Sequence, residues 1–175
     1  MTNIERTQCP YGPIALKDVI RADLAANKRD PGSQILLVGL RIAQASIGRF
    51  GPRHPVSLVT IVASRLVSEL LFNVELRPKT RVGPGLAIYH RTGLVVNDHA
   101  VIGQDVKLRH GVTIGHKTAG GASPLIGDRV EIGAGAIILG DITVGDDAQI
   151  AAGSVVVKDV EPGAVVAGNP AVRIR

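Results

Sequence analysis

The chain has 175 residues, enough for one ordinary domain with a short appended segment. With 45% hydrophobic and 20% charged residues it can bury a core, which excludes a disordered tail. Two Tyr, two Phe and no Trp exclude an aromatic platform for single-stranded nucleic acid, and the net charge of +5 is spread along the chain. Nine basic and six acidic residues fall up to Glu75, and eleven against nine after it, so neither half is a basic arm.

The N-terminus lacks the basic, apolar and small-residue order of a secretory signal, and Cys9 is the only cysteine. Neither of the most apolar stretches, 35–47 and 56–72, reaches the ~20 clean apolar residues of a membrane span. The expectation is a cytoplasmic protein with no membrane span and no nucleic-acid partner.

Up to Asn73 the pattern is helical. Ile14, Leu16, Val19, Ile20, Asp23 and Leu24 show 3.6-like spacing, and Asp30-Pro31-Gly32 stops the segment. A second helix is predicted from Ser33 to about Ile47, before the breakers Gly48, Gly51, Pro52 and Pro55. A third is predicted from Ser57 to about Phe72. The simplest reading of these helices, as a segment 1–74, is a cap docked on the remainder.

From Leu76 a six-residue period takes over. Aliphatic residues fall at Leu76, Val82 and Ile88, then at Val96, Ile102, Leu108 and Ile114. They continue at Ile126, Ile132, Ile138, Val144, Ile150 and Val156. Gly often follows, and a small or β-branched residue often stands two positions earlier. Neither a helix nor a hairpin has this period; a parallel β-helix of hexapeptides does. The fold class is therefore mainly β: a parallel β-helix over 75–175 behind a short helical segment, with four coils and part of a fifth. The step from Ile88 to Val96 holds two extra residues and that from Ile114 to Ile126 six, which must bulge outward as loops.

The frame puts Ile88, Leu108, Ile132 and Ile150 on one face. His90, His110, Ala134 and Ala152, two residues later, then form one column. Two imidazoles followed by two methyl groups read either as a reactive end with a narrow track or as ordinary turn fillers. His90 precedes the bulged step, and imidazole is the side chain that exchanges protons near neutral pH. Glu75, at the junction, reads as a surface charge or as the carboxylate that orients that imidazole. Lys117 opens the Gly-containing loop; a solvated cation and a phosphate ligand are both compatible with it.

Several stretches carry a family resemblance. They are His90-Arg91-Thr92-Gly93, Gly111-Val112-Thr113-Ile114-Gly115, Ile132-Gly133-Ala134-Gly135-Ala136 and Ala167-Gly168-Asn169-Pro170-Ala171. Upstream, Ile20-Arg21-Ala22-Asp23-Leu24 and Asp30-Pro31 add to them. The chain resembles the left-handed β-helix acyltransferases, and within them the serine O-acetyltransferase family. The resemblance implies acetyl transfer from acetyl-CoA to a hydroxyl, with His90 as catalytic base and Glu75, in place of the usual Asp, orienting it. It implies that Ala134 and Ala152 line the coenzyme arm and that Gly115, His116 and Lys117 surround thioester and phosphates. It further implies a homotrimer with the site between subunits, or two such trimers paired, and no metal.

The chain departs from the serine pattern at two places. Tyr89 replaces the Asp before the base, and Ala122-Ser123 replace an Arg-His pair before Pro124. Charge-assisted contacts of that kind contribute about 1.5–3 kcal/mol each. With Glu75 and the stretch from Arg109 to Gly115, the chain more closely resembles the short colanic-acid-type acetyltransferases. A sugar hydroxyl of polysaccharide synthesis is then the preferred acceptor, with Tyr89 and His110 beside it, and free serine the alternative. Two other classes share the scaffold: a γ-class carbonic anhydrase with a metal on His90, His110 and His116, and a non-catalytic structural trimer.

Overall fold

The computed structural model describes residues 14–175, three helices followed by a coiled array of short strands. Cys9 and the expected lack of a leader lie outside the described residues. Helix α1 spans Leu16–Ala26, α2 Pro31–Phe50 and α3 Pro55–Arg65, the last continuing as a π-helical turn over Leu66–Leu71. Asp30-Pro31-Gly32, expected as a stop, is also a start. The Ser33 amide donates to the Asp30 carboxylate at 3.1 Å, and Pro31 sits in the first turn, where its missing N–H costs nothing. Similarly, α3 begins at Pro55, ahead of the expected Ser57, with the Val56 amide donating to His54 Nδ1. Helix α2 runs past Ile47 because one Gly weakens a helix by only about 1 kcal/mol; it ends at Gly51, whose φ is +86°.

The thirteen aliphatic positions form three parallel faces. Leu76, Val96, Ile114, Ile138 and Val156 pair in register on the first. Val82, Ile102, Ile126 and Val144 pair on the second. Ile88, Leu108, Ile132 and Ile150 pair on the third. All thirteen are buried, and so are the small residues two positions earlier, such as Ala100, Val106, Val112, Ala136 and Ala148. Large side chains thus fill the faces and small ones the corners, a close-packed prism. Both off-period steps fall at corners and leave the register of the faces intact. Val160 breaks the period, bridging Val144 four residues after Val156, and Val166 completes the fifth coil. The strand Val165–Gly168 then folds back on Ala171–Arg173 in an antiparallel hairpin.

The glycines after the aliphatic residues have a steric cause. A Cβ on Gly83 would meet the Gln104 amide nitrogen at 2.6 Å, and one on Gly145 would meet Pro162 at 2.5 Å. Gly115 is different: its nearest neighbours lie at 3.8 Å or more. Gly145→Ala should therefore cost about 1–3 kcal/mol of stability by overpacking, while Gly115→Ala should leave the melting temperature close to wild type. Thermal unfolding of the two variants side by side checks this.

The first coil has an open edge, where backbone groups have no preceding coil to bond. Polar side chains of α1 and α2 satisfy them. Arg41 donates to the Val82 and Gly83 carbonyls at 2.7 and 2.6 Å and to the Asp23 carboxylate at 2.7 Å. Asp23 in turn accepts from the Gly85 and Leu86 amides. Asn27 accepts from the Ile88 amide and donates to the Leu86 carbonyl; Ser33 lies within bonding distance of the Ile88 carbonyl, and Gln44 donates to that of Thr80. Asp23 and Arg41 are 1% and 4% exposed. An unpaired strand edge invites aggregation, and terminal capping is what a solenoid needs. Below this layer Leu36, Leu37 and Leu40 join the same apolar core as the coils.

Candidate active site

The third face places the four-residue column as its register dictates. His90, His110, Ala134 and Ala152 leave the strands at one corner, and their neighbours bond coil to coil: the Gly135 amide to the His110 carbonyl, the Gly153 amide to that of Ala134. The His90 and His110 rings meet edge-on with centroids 6.1 Å apart. In this corner the regular left-handed residue is glycine, at Gly93, Gly111, Gly135 and Gly153. His90 is an additional left-handed residue, with φ +54°, because Arg91 and Thr92 are inserted between it and Gly93. A non-Gly residue held in that region marks a place where the surroundings over-determine the backbone.

What holds it is the α1–α2 turn. Arg91 pairs with Asp30 at 2.5 and 2.6 Å and lays its guanidinium over the Phe72 ring at 4.5 Å. Burial opposes ionisation of Asp30, but the Ser33 amide and hydroxyl and the Arg91 guanidinium outweigh it and hold the carboxyl below its ordinary range. The clamp on both sides of His90 is thus Asn27 and Ser33 on Ile88, and Asp30 on Arg91. Asn27 and Ser33 were not expected at the site, and Asp30 and Arg91 were legible only as parts of motifs, Asp30-Pro31 being read as a helix stop rather than a start. Two open cavities of about 540 and 340 Å³ flank His90, one against the 25–30 turn and Tyr89, the other against Phe72 and Arg91. Tyr89 is 39% exposed, its ring 5.5 Å from the Arg109 guanidinium.

Glu75 lies on the first-face strand Glu75–Leu76, which follows this corner, and its carboxylate pairs with Arg77 at 2.8 Å. Arg77 also stands 3.8 Å from Asp98 and 3.9 Å from Glu69. Residues two apart on a strand share a side, so this partner was open to prediction.

Gly115, His116 and Lys117 sit at the other end of the first face. Asn97 organises them: its amide nitrogen lies 3.1 Å from His116 Nδ1, and its oxygen accepts from the Ser123 hydroxyl and the His99 amide. Ser123 is buried by these contacts. Lys117 is exposed beside Gly140, whose amide donates to the Gly115 carbonyl. His116 is therefore separated from His90 and His110 by the width of a face. On one chain the three do not converge as ligands of one metal.

A family model described as bacterial transferase hexapeptide (six repeats) matches residues 123–158. The putative colanic acid biosynthesis acetyltransferase WcaB of Escherichia coli (strain K12) is 42% identical over 112 residues, covering 63% of this chain and 69% of that protein. The chain belongs to the hexapeptide-repeat transferase family. Probable serine acetyltransferase 4 of Oryza sativa subsp. japonica is 42% identical over 165 residues, covering 86% of this chain and 51% of the relative. The chain thus spans about half the length of that rice protein. Among solved structures, serine acetyltransferase from Brucella abortus strain S19 in complex with coenzyme A matches with a TM-score of 0.76 at 34% identity. It covers 90% of this chain and 67% of that one, and with it the coil is the left-handed β-helix of the family.

Proposed function

We propose that the chain is an acetyl-CoA-dependent O-acetyltransferase in which His90 is the catalytic base. One observation carries this: an exposed His in a left-handed, bulged corner, clamped on both sides and flanked by two cavities. In the reaction the imidazole takes the proton of the acceptor hydroxyl while its oxygen bonds to the acetyl carbonyl carbon. The carbon–sulfur bond breaks, and the departing thiolate recovers the proton from the imidazolium. Glu75 is the positioning carboxylate, shared with Arg77.

The coenzyme arm runs down the corner past Ala134 and Ala152, and Gly115, His116 and Lys117 hold the thioester and phosphate end. On one chain these two sets lie at opposite ends of the strand Thr113–Gly115, about 10 Å long at the rise of extended chain. A homotrimer, in which one subunit's corner faces its neighbour's Lys117 edge, unites them in one cleft. Ala152 is exposed, so Ala152→Leu should fold normally and raise KM for acetyl-CoA severalfold with little change in kcat. Ala134→Leu, nearer His90, should lower kcat as well. Initial-rate kinetics with varied acetyl-CoA separates these outcomes from unchanged binding, which would remove the track.

For the acceptor, the similarity to serine acetyltransferases over nine-tenths of the chain favours serine and weighs against the sugar preferred from the departures at Tyr89 and Ala122-Ser123. The sugar reading keeps one observation of its own: Ser123 is buried against Asn97, so it presents no group to the carboxylate of an amino acid. Thiol release from acetyl-CoA, measured with serine, free sugars and sugar nucleotides, decides between them. Saturable release with serine is expected. Release with saccharides alone moves the acceptor, and no release with any of them removes the enzymatic reading.

A further inference from the structure

Helix α3 is built inside out. Its buried side carries Ser57, Thr60, Ser64 and Ser68, packed on α2: the Ser57 hydroxyl donates to the Ser46 carbonyl, Ser46 and Thr60 hydroxyls lie 2.6 Å apart, and Gly39 faces Ser64. Its outer arc, extended by the π-helical turn, carries Leu58, Val59, Val62, Leu66 and Leu70. Val59 is 68% and Leu70 74% exposed. A helix that meets water on one side does the reverse, turning leucine inward and serine outward. Small residues give close helix packing without hydrophobic drive between the helices, and they leave the large apolar side chains for another surface. An apolar arc of about 20 Å, the length of the thirteen residues from Leu58 to Leu70, marks an interaction face.

The surrounding charge selects the occupant. From residue 31 to residue 68 there is no Asp or Glu, and there are four Arg. Arg41 is consumed by the cap, and Arg65 pairs with Glu69 at the border of the arc. Arg49 and Arg53 are left at the α2–α3 tip, around an exposed Phe50 whose ring stacks on His54 at 4.8 Å and receives the Arg49 guanidinium at 5.4 Å. Among the described residues neither arginine has a carboxylate partner. On α3 and its π-helical turn the one acid, Glu69, is already paired with Arg65 and stands 3.9 Å from Arg77, so a second copy offers these cations no free carboxylate from this segment. Lipid phosphates would meet them directly, while acyl chains cover the apolar arc.

We propose that the α2–α3 hairpin is a membrane-surface anchor, lying flat on an anionic bilayer with Leu58, Val59, Val62, Leu66 and Leu70 in the headgroup–acyl boundary and Arg49 and Arg53 on lipid phosphates. No helix of the described residues is long and apolar enough to cross a membrane, so the contact is peripheral. The face is remote in kind from the acetyl-transfer chemistry, and the proposal stands independently of it.

The test is co-sedimentation of the full chain with phosphatidylglycerol-containing vesicles and with pure phosphatidylcholine vesicles. Binding to the anionic vesicles, weakened by high salt, is expected. The double variant Val62→Glu, Leu66→Glu should abolish it while the circular dichroism stays that of the wild type, since both side chains are already in solvent. Arg49→Glu with Arg53→Glu should weaken it at least tenfold, from about fivefold per cation removed. Failure of the wild type to bind either vesicle overturns the proposal. Equal binding by the Val62→Glu, Leu66→Glu variant overturns it too. So does a fall in the solution mass of that variant without vesicle binding by the wild type, because the arc is then covered by a second copy.

Discussion

His90→Ala should lower kcat by about 10²–10⁴, the range for losing a general base, with the coils intact. The backbone adds a detail to that experiment. At φ +54° a left-handed Ala costs on the order of 1 kcal/mol, whereas Asn tolerates the region. His90→Asn should therefore match the loss of turnover of His90→Ala at nearly wild-type melting temperature. Two inactive variants, one of them fully stable, separate chemistry from folding; wild-type turnover in His90→Asn would remove the assignment. Glu75→Gln should cost less, because in the proposed reaction its carboxylate acts only through the ring, and it is itself engaged by Arg77.

Arg41→Met should destabilise the fold by about 3–5 kcal/mol, the range for breaking a buried ion pair from one side. Asp23 would stay 1% exposed with its charge uncompensated, and the Val82 and Gly83 carbonyls would lose their donors. Many buried pairs can be exchanged for two apolar residues at little cost. Here they cannot, because Asp23 and Arg41 also close the edge of the first coil: the double variant Asp23→Leu, Arg41→Met strands the Gly85 and Leu86 amides as well. Denaturant unfolding should find the double variant no more stable than Arg41→Met. Recovery to within 1 kcal/mol of the wild type would show the edge bonds to be dispensable.

The acid limb of stability follows from Asp30. Its folded carboxyl is held below the ordinary carboxylate range, so its contribution is complete above the unfolded value and is lost as the pH falls through the folded one. Loosening of the Arg91 clamp beside His90 belongs to that acid limb. With side chains about a quarter to a third exposed, the ion pair is partly screened by water.

The coils were legible because a six-residue period is a local property: each hexapeptide repeats the same inward aliphatic, and counting alone assigns the three faces and the column of His90, His110, Ala134 and Ala152. The remainder of the fifth coil, begun at Val156, escaped the count because Val160 comes only four residues later, where the strand ladder and not the repeat determines its place. The helical segment was legible only as helix. Asn27, Ser33 and Arg41 carry no sign in sequence that they point inward, since polar residues on a helix ordinarily face water, and Asp23 shows only its place in the 3.6-like spacing of α1. They are buried because the first coil presents an unpaired backbone edge, and that edge exists only once the chain has coiled. The width of a face likewise separates Lys117 from His90 on one chain, and the packing of α3 on α2 turns its serines inward and its leucines out. Period and composition set which residues repeat; the closure of the prism decided which polar groups had to be satisfied, and by whom.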